Sequence, residues 1–153
     1  MNAVSSLVFA NEKMTPNLID EIMPLSLKHW IEIGRKDLEF DPDWGLYFMC
    51  STASIIQCFT ARRDGVLKGY STYVVKCHPH YKAVLTATQD TLFLEKDERK
   101  GMAGLNFIRA CDDGLKNVGV TFLNQSLNFK NDFGPVLERL GYVATGINYE
   151  RRI

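Results

Sequence analysis

The spacing of apolar positions switches along the chain from helical to alternating and back to helical. Ser6–Ala10, SLVFA, reads as a first short strand. Thr15 followed by Pro16 is a helix start, a hydroxyl cap with proline in the first turn. Leu18, Ile22 and Leu25 then recur at helical spacing. Pro24 is predicted to kink or split this helix, because proline lacks the amide hydrogen that the ladder needs. The pattern resumes through Trp30 and Ile33 and stops near Gly34. Asp41-Pro42 repeats the start signal before a second short helix, Trp44–Cys50. Two β-rich runs follow, Ser54–Arg62 and Val66–Val75, joined across Asp64-Gly65. Both of those turn residues tolerate positive φ, so the pair predicts a hairpin. Cys77–Lys82 reads as a loop and Ala83–Glu95 as a long third strand.

Helical spacing returns at Gly104, with Phe107, Ile108, Cys111, Leu115 and Val118 on one face and Gly119 as the C-cap. Val120–Ser126 is a predicted strand, Phe133–Tyr142 a short helix ended by Gly141, and Thr145–Ile153 a closing strand. Helices, then an antiparallel meander, then β-α-β-α-β predict a mixed α/β (α+β) domain. The sheet is expected to be dominated by antiparallel pairs, with Ala83–Glu95 central and helices on both faces. No linker or repeat divides the chain, so residues 1–153 read as one domain.

Composition narrows the function classes. Lys plus Arg and Asp plus Glu number 18 each, which disfavours nucleic acid or an acidic membrane as a partner. Cys50, Cys58, Cys77 and Cys111 lie far apart without a C-x-x-C pair, which argues against a structural zinc site and for a reducing compartment. The first residues lack a basic leader, and no apolar run approaches the ~20 residues of a membrane helix. A cytoplasmic protein, monomer or homodimer, is the expectation.

Candidate chemistry centres on LFLEKDERKGMAG, Leu92 to Gly104, where a strand meets a turn and a helix. A helix start presents unpaired amides and the positive end of the macrodipole. Glycines allow close approach to that backbone, and Arg99 and Lys100 add charge. The stretch is either an ordinary turn or an anion cradle. It is not a P-loop, since G-x-x-x-x-G-K-[ST] is absent, and Gly101 and Gly104 alone do not make a G-x-G-x-x-G fingerprint.

These residues resemble the acetyl-CoA-binding core of the GNAT acetyltransferase superfamily. That family has an alternating strand, a short turn, and Arg/Gln-x-x-Gly-x-Gly/Ala opening a helix. Leu92 and Leu94 match the strand, Arg99 the leading Arg/Gln, and Gly104 the last small residue, with Met102 where the family prefers glycine. FGPVLERLGY, Phe133 to Tyr142, resembles the family's late helix, with Leu137 at the place of its frequent proton-donating tyrosine. The two matches cover roughly residues 83–143, and the whole chain is similar to small GNAT-like proteins of bacteriophage genomes.

The resemblance implies an acetyl-CoA-dependent N-acetyltransferase acting on an unidentified amine, with acetyl-CoA as cosubstrate. It implies that Leu92, Phe93 and Leu94 pair with the pantetheine arm, and that an amide near Phe93 or Leu94 stabilises the oxyanion. Arg99, Lys100, Gly101, Met102, Ala103 and Gly104 would take the pyrophosphate.

For the general base Asp90 is the choice, since period two puts it on the face of Leu92 and Leu94 while Gln89 faces away. The alternative for Asp90 is a polar strand-end group bonded to a loop. Tyr142, Tyr149 and Cys111 are candidate proton donors, each also readable as core or rim. Lys28–Trp30 falls in the region that forms part of the acceptor groove in the family, with core packing the alternative for Trp30. His78 and His80 bracket Pro79 without further ligands, so no metal site is expected. The rival reading is a GNAT-fold binding or structural protein without catalysis.

Overall fold

The computed structural model describes residues 5–130 and 132–153. Its elements run β1 (Val8–Asn11), α1 (Pro16–Ile33), α2 (Trp44–Thr52), β2 (Ile56–Arg63), β3 (Val66–His78) and β4 (Tyr81–Leu94). A 3₁₀ turn (Lys96–Glu98), α3 (Ala103–Asn117), β5 (Phe122–Asn124) and α4 (Gly134–Arg139) follow. The strands form one sheet in the order β1-β2-β3-β4-β5, antiparallel except for the parallel pair β4-β5. The middle strand is therefore β3. The Ala83–Glu95 run, expected there, is the internal strand between β3 and the short β5.

The sheet carries a core on each face. On one, Leu18, Ile22 and Leu25 of α1 pack with Ile56, Cys58, Tyr70 and Phe93. On the other, Phe107, Cys111 and Leu115 of α3 pack with Phe59, Ala61, Tyr73, Ala87 and Leu94. Period-two alternation along β2 assigns Ile56 and Cys58 to one core and Phe59 and Ala61 to the other, which lets helices cover both faces.

Local signals account for most boundaries. Thr15 Oγ1 accepts from the Leu18 amide at 3.2 Å and Asp43 Oδ1 from the Leu46 amide at 2.9 Å, capping α1 and α2. Asp64 and Gly65 take φ of 51° and 80°, the left-handed conformations that close the β2-β3 hairpin.

Two expectations are revised. Helix α1 is not split at Pro24 but continues through it as one helix. Pro24 is exposed while Ile22, Leu25 and Ser26 are buried, so packing of the inner face holds the helix against a propensity cost of about 3 kcal/mol. Thr145–Ile153 forms no strand. Its residues are exposed, and ion pairs of Glu150 with Arg35 and of Arg152 with Asp37 hold the tail near the loop after α1. β propensity without a core face to fill does not make a strand.

Candidate functional site

Strand β4 lies between two neighbours over only part of its length. Thr86, Ala87 and Thr88 pair with Phe122, Leu123 and Asn124 of β5. From Gln89 to Leu94 β3 is the only strand alongside among the described residues. The Glu95 amide donates to the Lys68 carbonyl of β3 at 2.8 Å. Antiparallel alternation then turns the Phe93 amide to β3 as well, and turns those of Leu92 and Leu94 to the open side. Of the two amides expected to meet an oxyanion, Phe93 is committed to the sheet and Leu94 is free of it.

A cleft of about 280 Å³ continues this open edge. Its walls include Leu92, Phe93, Leu94, Arg99, Gly101, Met102 and Gly104, with Phe133, Val136 and Arg139 opposite. Lys100 and Ala103, though in the same turn, do not line it. Gly101 takes φ of 56°, so the left-handed residue of the turn stands one position before Met102, which keeps φ of −94°. No side chain caps α3. The amides of Gly101, Met102, Gly104 and Leu105 find no hydrogen-bond partner among the described residues. A Cβ built on Gly104 would meet nothing within 4 Å.

The turn is held from outside the cleft. Glu98 is nearly buried and accepts from Arg63 Nε and Nη2 at 2.6–3.1 Å. The Arg63 guanidinium holds the Glu98 carboxyl below its ordinary value. Arg99 donates to the Leu94 carbonyl at 2.6 Å and to Glu32 of α1 at 3.0 Å, its guanidinium 5.3 Å from the Phe93 ring centre.

Asp90 stands where the β4 register breaks. Thr91 opposes Thr72 and Gln89 opposes Tyr73, which leaves Asp90 as the extra residue of a β-bulge. The bulge cancels the alternation that was expected to put Asp90 with Leu92 and Leu94. Leu92 and Leu94 pack with the α3 core, whereas Asp90 Oδ2 accepts from Thr72 Oγ1 at 2.9 Å and from Tyr47 Oη of α2 at 2.5 Å. Oδ1 has no partner among the described residues. Burial, and then the bond to Asp90, push the Tyr47 hydroxyl far above its ordinary value, so it remains a donor. Asp90, Gln89 and Leu92 line a second cleft with His29 and Phe129. The Gln89 side chain is spent on the Ser126 amide at 3.1 Å.

His29, beside Trp30 in the Lys28–Trp30 stretch, lines both clefts and an aromatic cavity between α1, α2 and the sheet. Burial holds His29 below its ordinary 6.5, Arg99 adding to this against Glu32 and Asp90. Sequence reading missed Tyr47, Thr72 and Glu32. Their sequence distance from Asp90 and Arg99 left no local signal.

The three candidate proton donors stand apart from this site. Cys111 is buried in the α3 core, and burial pushes its thiol up to about 12. The Tyr142 hydroxyl donates to Asp112 at 2.5 Å, and Tyr149 is exposed in the tail. Leu137 is buried. His78 and His80 sit at the β3-β4 turn, and no group of three metal-binding side chains occurs among the described residues.

Solved structures share this architecture over nearly the whole chain. The ribosomal-protein-alanine N-acetyltransferase of Brucella melitensis biovar Abortus 2308 superposes with a TM-score of 0.72 at 17% identity, covering 97% of this chain and 99% of the other. The fold is the GNAT fold. An aminoglycoside acetyltransferase from an uncultured soil metagenomic sample gives 0.75 at 11% identity, over 96% of both chains. A predicted acetyltransferase of Clostridium acetobutylicum solved with acetyl-CoA gives 0.74 at 10% identity, over 95% and 96%. These structures lend no support to the narrower resemblance to bacteriophage proteins. No family model and no curated protein matches the sequence. Among the described residues, no helix of this GNAT-fold chain is long and apolar enough to cross a membrane.

Proposed function

We propose that the chain is an acetyl-CoA-dependent N-acetyltransferase acting on a primary amine. The observation that carries this reading is the continuity of an unpaired strand edge with an uncapped helix start. The Leu92 and Leu94 amides face open space, and the cleft beside them leads to the unpartnered amides of Gly101, Met102, Gly104 and Leu105. An extended amide-bearing arm ending in a pyrophosphate matches both parts, pairing along the edge and accepting from the amides. The open space at Gly104 admits that close approach. Acetyl-CoA supplies an activated thioester.

The chain's residues supply three things. The Leu94 amide, fixed by the sheet and free of β3, is positioned to donate to a carbonyl oxygen as it gains charge. One such donor contributes about 3 kcal/mol. Asp90 Oδ1 takes a proton from the ammonium, directly or through water, while Tyr47 and Thr72 hold Oδ2. The α1-α2 side of the sheet orients the amine. Nitrogen–carbon bond formation and carbon–sulfur cleavage then leave an amide and a thiolate. With an ordinary thiol pKa of about 8.5, that thiolate can take its proton from water, so Leu137 in place of a tyrosine does not block turnover.

Buried Leu137 also supports the second reading, a GNAT-fold protein that binds acetyl-CoA without transfer. Calorimetry with acetyl-CoA, followed by mass spectrometry of an amine panel incubated with protein and acetyl-CoA, separates the two. Binding with transfer is the expected result. Binding without transfer to any amine supports the second reading, and absence of binding overturns both.

A further inference from the structure

A cavity of about 240 Å³ lies between α1, the loop after it, α2 and the sheet. Trp30, Phe40, Trp44, Tyr47 and Tyr70 form most of its wall, with His29 at the side shared with the Asp90 cleft. Trp30 and Phe40 meet at 5.7 Å between ring centres, and Trp44 and Tyr47 at 5.5 Å. Four of these rings, Trp30, Phe40, Trp44 and Tyr47, are only half-buried. Large aromatic residues usually bury their area in a core, so a half-exposed group around one hollow leaves apolar surface for a ligand to cover.

The charge around the cavity limits what that ligand is. Among the described residues no carboxylate lines it. The acidic residues of the neighbouring loop stand elsewhere. Asp37 pairs with Arg35, Asp43 caps α2, and Glu39 and Asp41 are exposed. Burial holds His29 below its ordinary 6.5, which disfavours its positively charged form beside the cavity. Lys36 stands outside the cavity, its Nζ 4.2 Å from the centre of the Trp30 ring and bonded to the carbonyls of Trp30 and Ile31. Asp90 is bonded to the lining residues Tyr47 and Thr72. The hollow thus joins an apolar aromatic chamber to a carboxylate held by its own wall. A polyamine or an aminoglycoside carries several ammonium groups, and the apolar chamber itself offers the others no charged partner.

We propose that the acceptor is a monoamine with a flat aromatic or short alkyl body, seated among these rings with its nitrogen directed past His29 toward Asp90. This rests on the acetyltransferase reading above. The ring faces bind the body and attract the adjacent cation. At Asp90 the ammonium gives up one proton, and its nitrogen attacks the thioester carbonyl. The carbon–sulfur bond breaks with its electron pair on sulfur, and the second nitrogen proton goes through water to the thiolate or to solvent. The products are the N-acetyl amine, free CoA thiol and one released proton.

The test uses 2-phenylethylamine and spermidine as probes on the full chain. Trp30 and Trp44 fluorescence reads amine binding without catalysis, and mass spectrometry reads transfer from acetyl-CoA. The expected result is quenching by 2-phenylethylamine, with kcat/KM above that for spermidine by on the order of tenfold or more. Phe40→Ala should lower 2-phenylethylamine affinity by a similar factor and leave acetyl-CoA affinity by calorimetry unchanged, with Phe40→Leu in between. Equal or better use of spermidine, or no 2-phenylethylamine binding, overturns the proposal even where acetyl-CoA binds. Quenching by 2-phenylethylamine without transfer upholds the cavity assignment and counts against the catalytic reading instead.

Discussion

Replacing Gly104 with valine separates ligand contact from folding at a single position. Gly104 lines the cleft, and a Cβ built there meets no packed neighbour within 4 Å, so a branched side chain at this position projects into the cleft. Folding then responds only to backbone freedom. Glycine inside a helix is roughly 1 kcal/mol worse than alanine and valine about 0.6, so valine should stabilise α3 by a few tenths of a kcal/mol. For a chain of 153 residues the thermal midpoint should hold or rise by about 1 °C. Binding responds in the opposite direction. A hydrogen bond from an amide to a charged oxygen contributes about 1.5–3 kcal/mol. Losing two of them raises Kd roughly 10²–10⁴-fold, since 1.4 kcal/mol is a factor of ten. Calorimetry with acetyl-CoA and thermal unfolding of the same preparation give both numbers. Gly104→Ala should fall between glycine and valine in affinity and exceed both in stability. A folded Gly104→Val protein with unaltered acetyl-CoA affinity would refute the assignment of the turn.

Three further outcomes follow from particular contacts. Gly114 of the same helix should behave oppositely to Gly104. A Cβ there falls 2.3 Å from the Phe59 ring, so Gly114→Ala should destabilise by about 1–3 kcal/mol in denaturant titration despite its better helix propensity. Asp90→Asn keeps an acceptor for Tyr47 and Thr72 but loses basicity. Turnover should fall on the order of 10²–10⁴-fold, acetyl-CoA affinity should stay constant, and raised pH should partly restore the rate; equal rates at neutral pH would remove Asp90 from the mechanism. Arg63 holds the Glu98 carboxyl below its ordinary 4.5, so its stabilisation is complete above that value and drains away as pH falls through the lowered one. Glu98→Gln should therefore be less stable than the parent at pH 7, with the difference shrinking below pH 4.5. A difference constant with pH, measured by urea titration, would show that the pair adds nothing.

Much of the fold was legible because its determinants are local. Thr15 caps α1 through a bond spanning three residues, and Asp64-Gly65 closes a hairpin through its own backbone angles. The start signal expected at Asp41-Pro42 falls instead at Asp43, which caps α2. Helical spacing along α3 identified which of its side chains enter a core. The strand–turn–helix from Leu92 to Gly104 could be read as an anion cradle for the same reason, since strand edge, glycines and helix start are consecutive. What lies far apart in sequence had no such signal. Pro24 stays helical because packing against the sheet outweighs a local penalty, and Thr145–Ile153 stays out of the sheet because no core face receives it.

The sequence by itself determined the order of elements up to α4, the two-faced sheet and the candidate cofactor turn, each encoded by residues within a few positions of one another. Only the tertiary structure decided where Asp90 points. Pairing of β4 with β3 places one residue too many opposite Thr72 and Tyr73, and that slip turns a carboxylate from the α3 side to Tyr47. The same long-range pairing chose Leu94 over Phe93 as the free amide, because the direction of a strand amide depends on which neighbour lies alongside. It also drew residues from Trp30 to Tyr70 around one cavity. Spacing along the chain carries the period of a strand or helix. It does not carry the register between strands, which is set by the packing of side chains that meet only after folding.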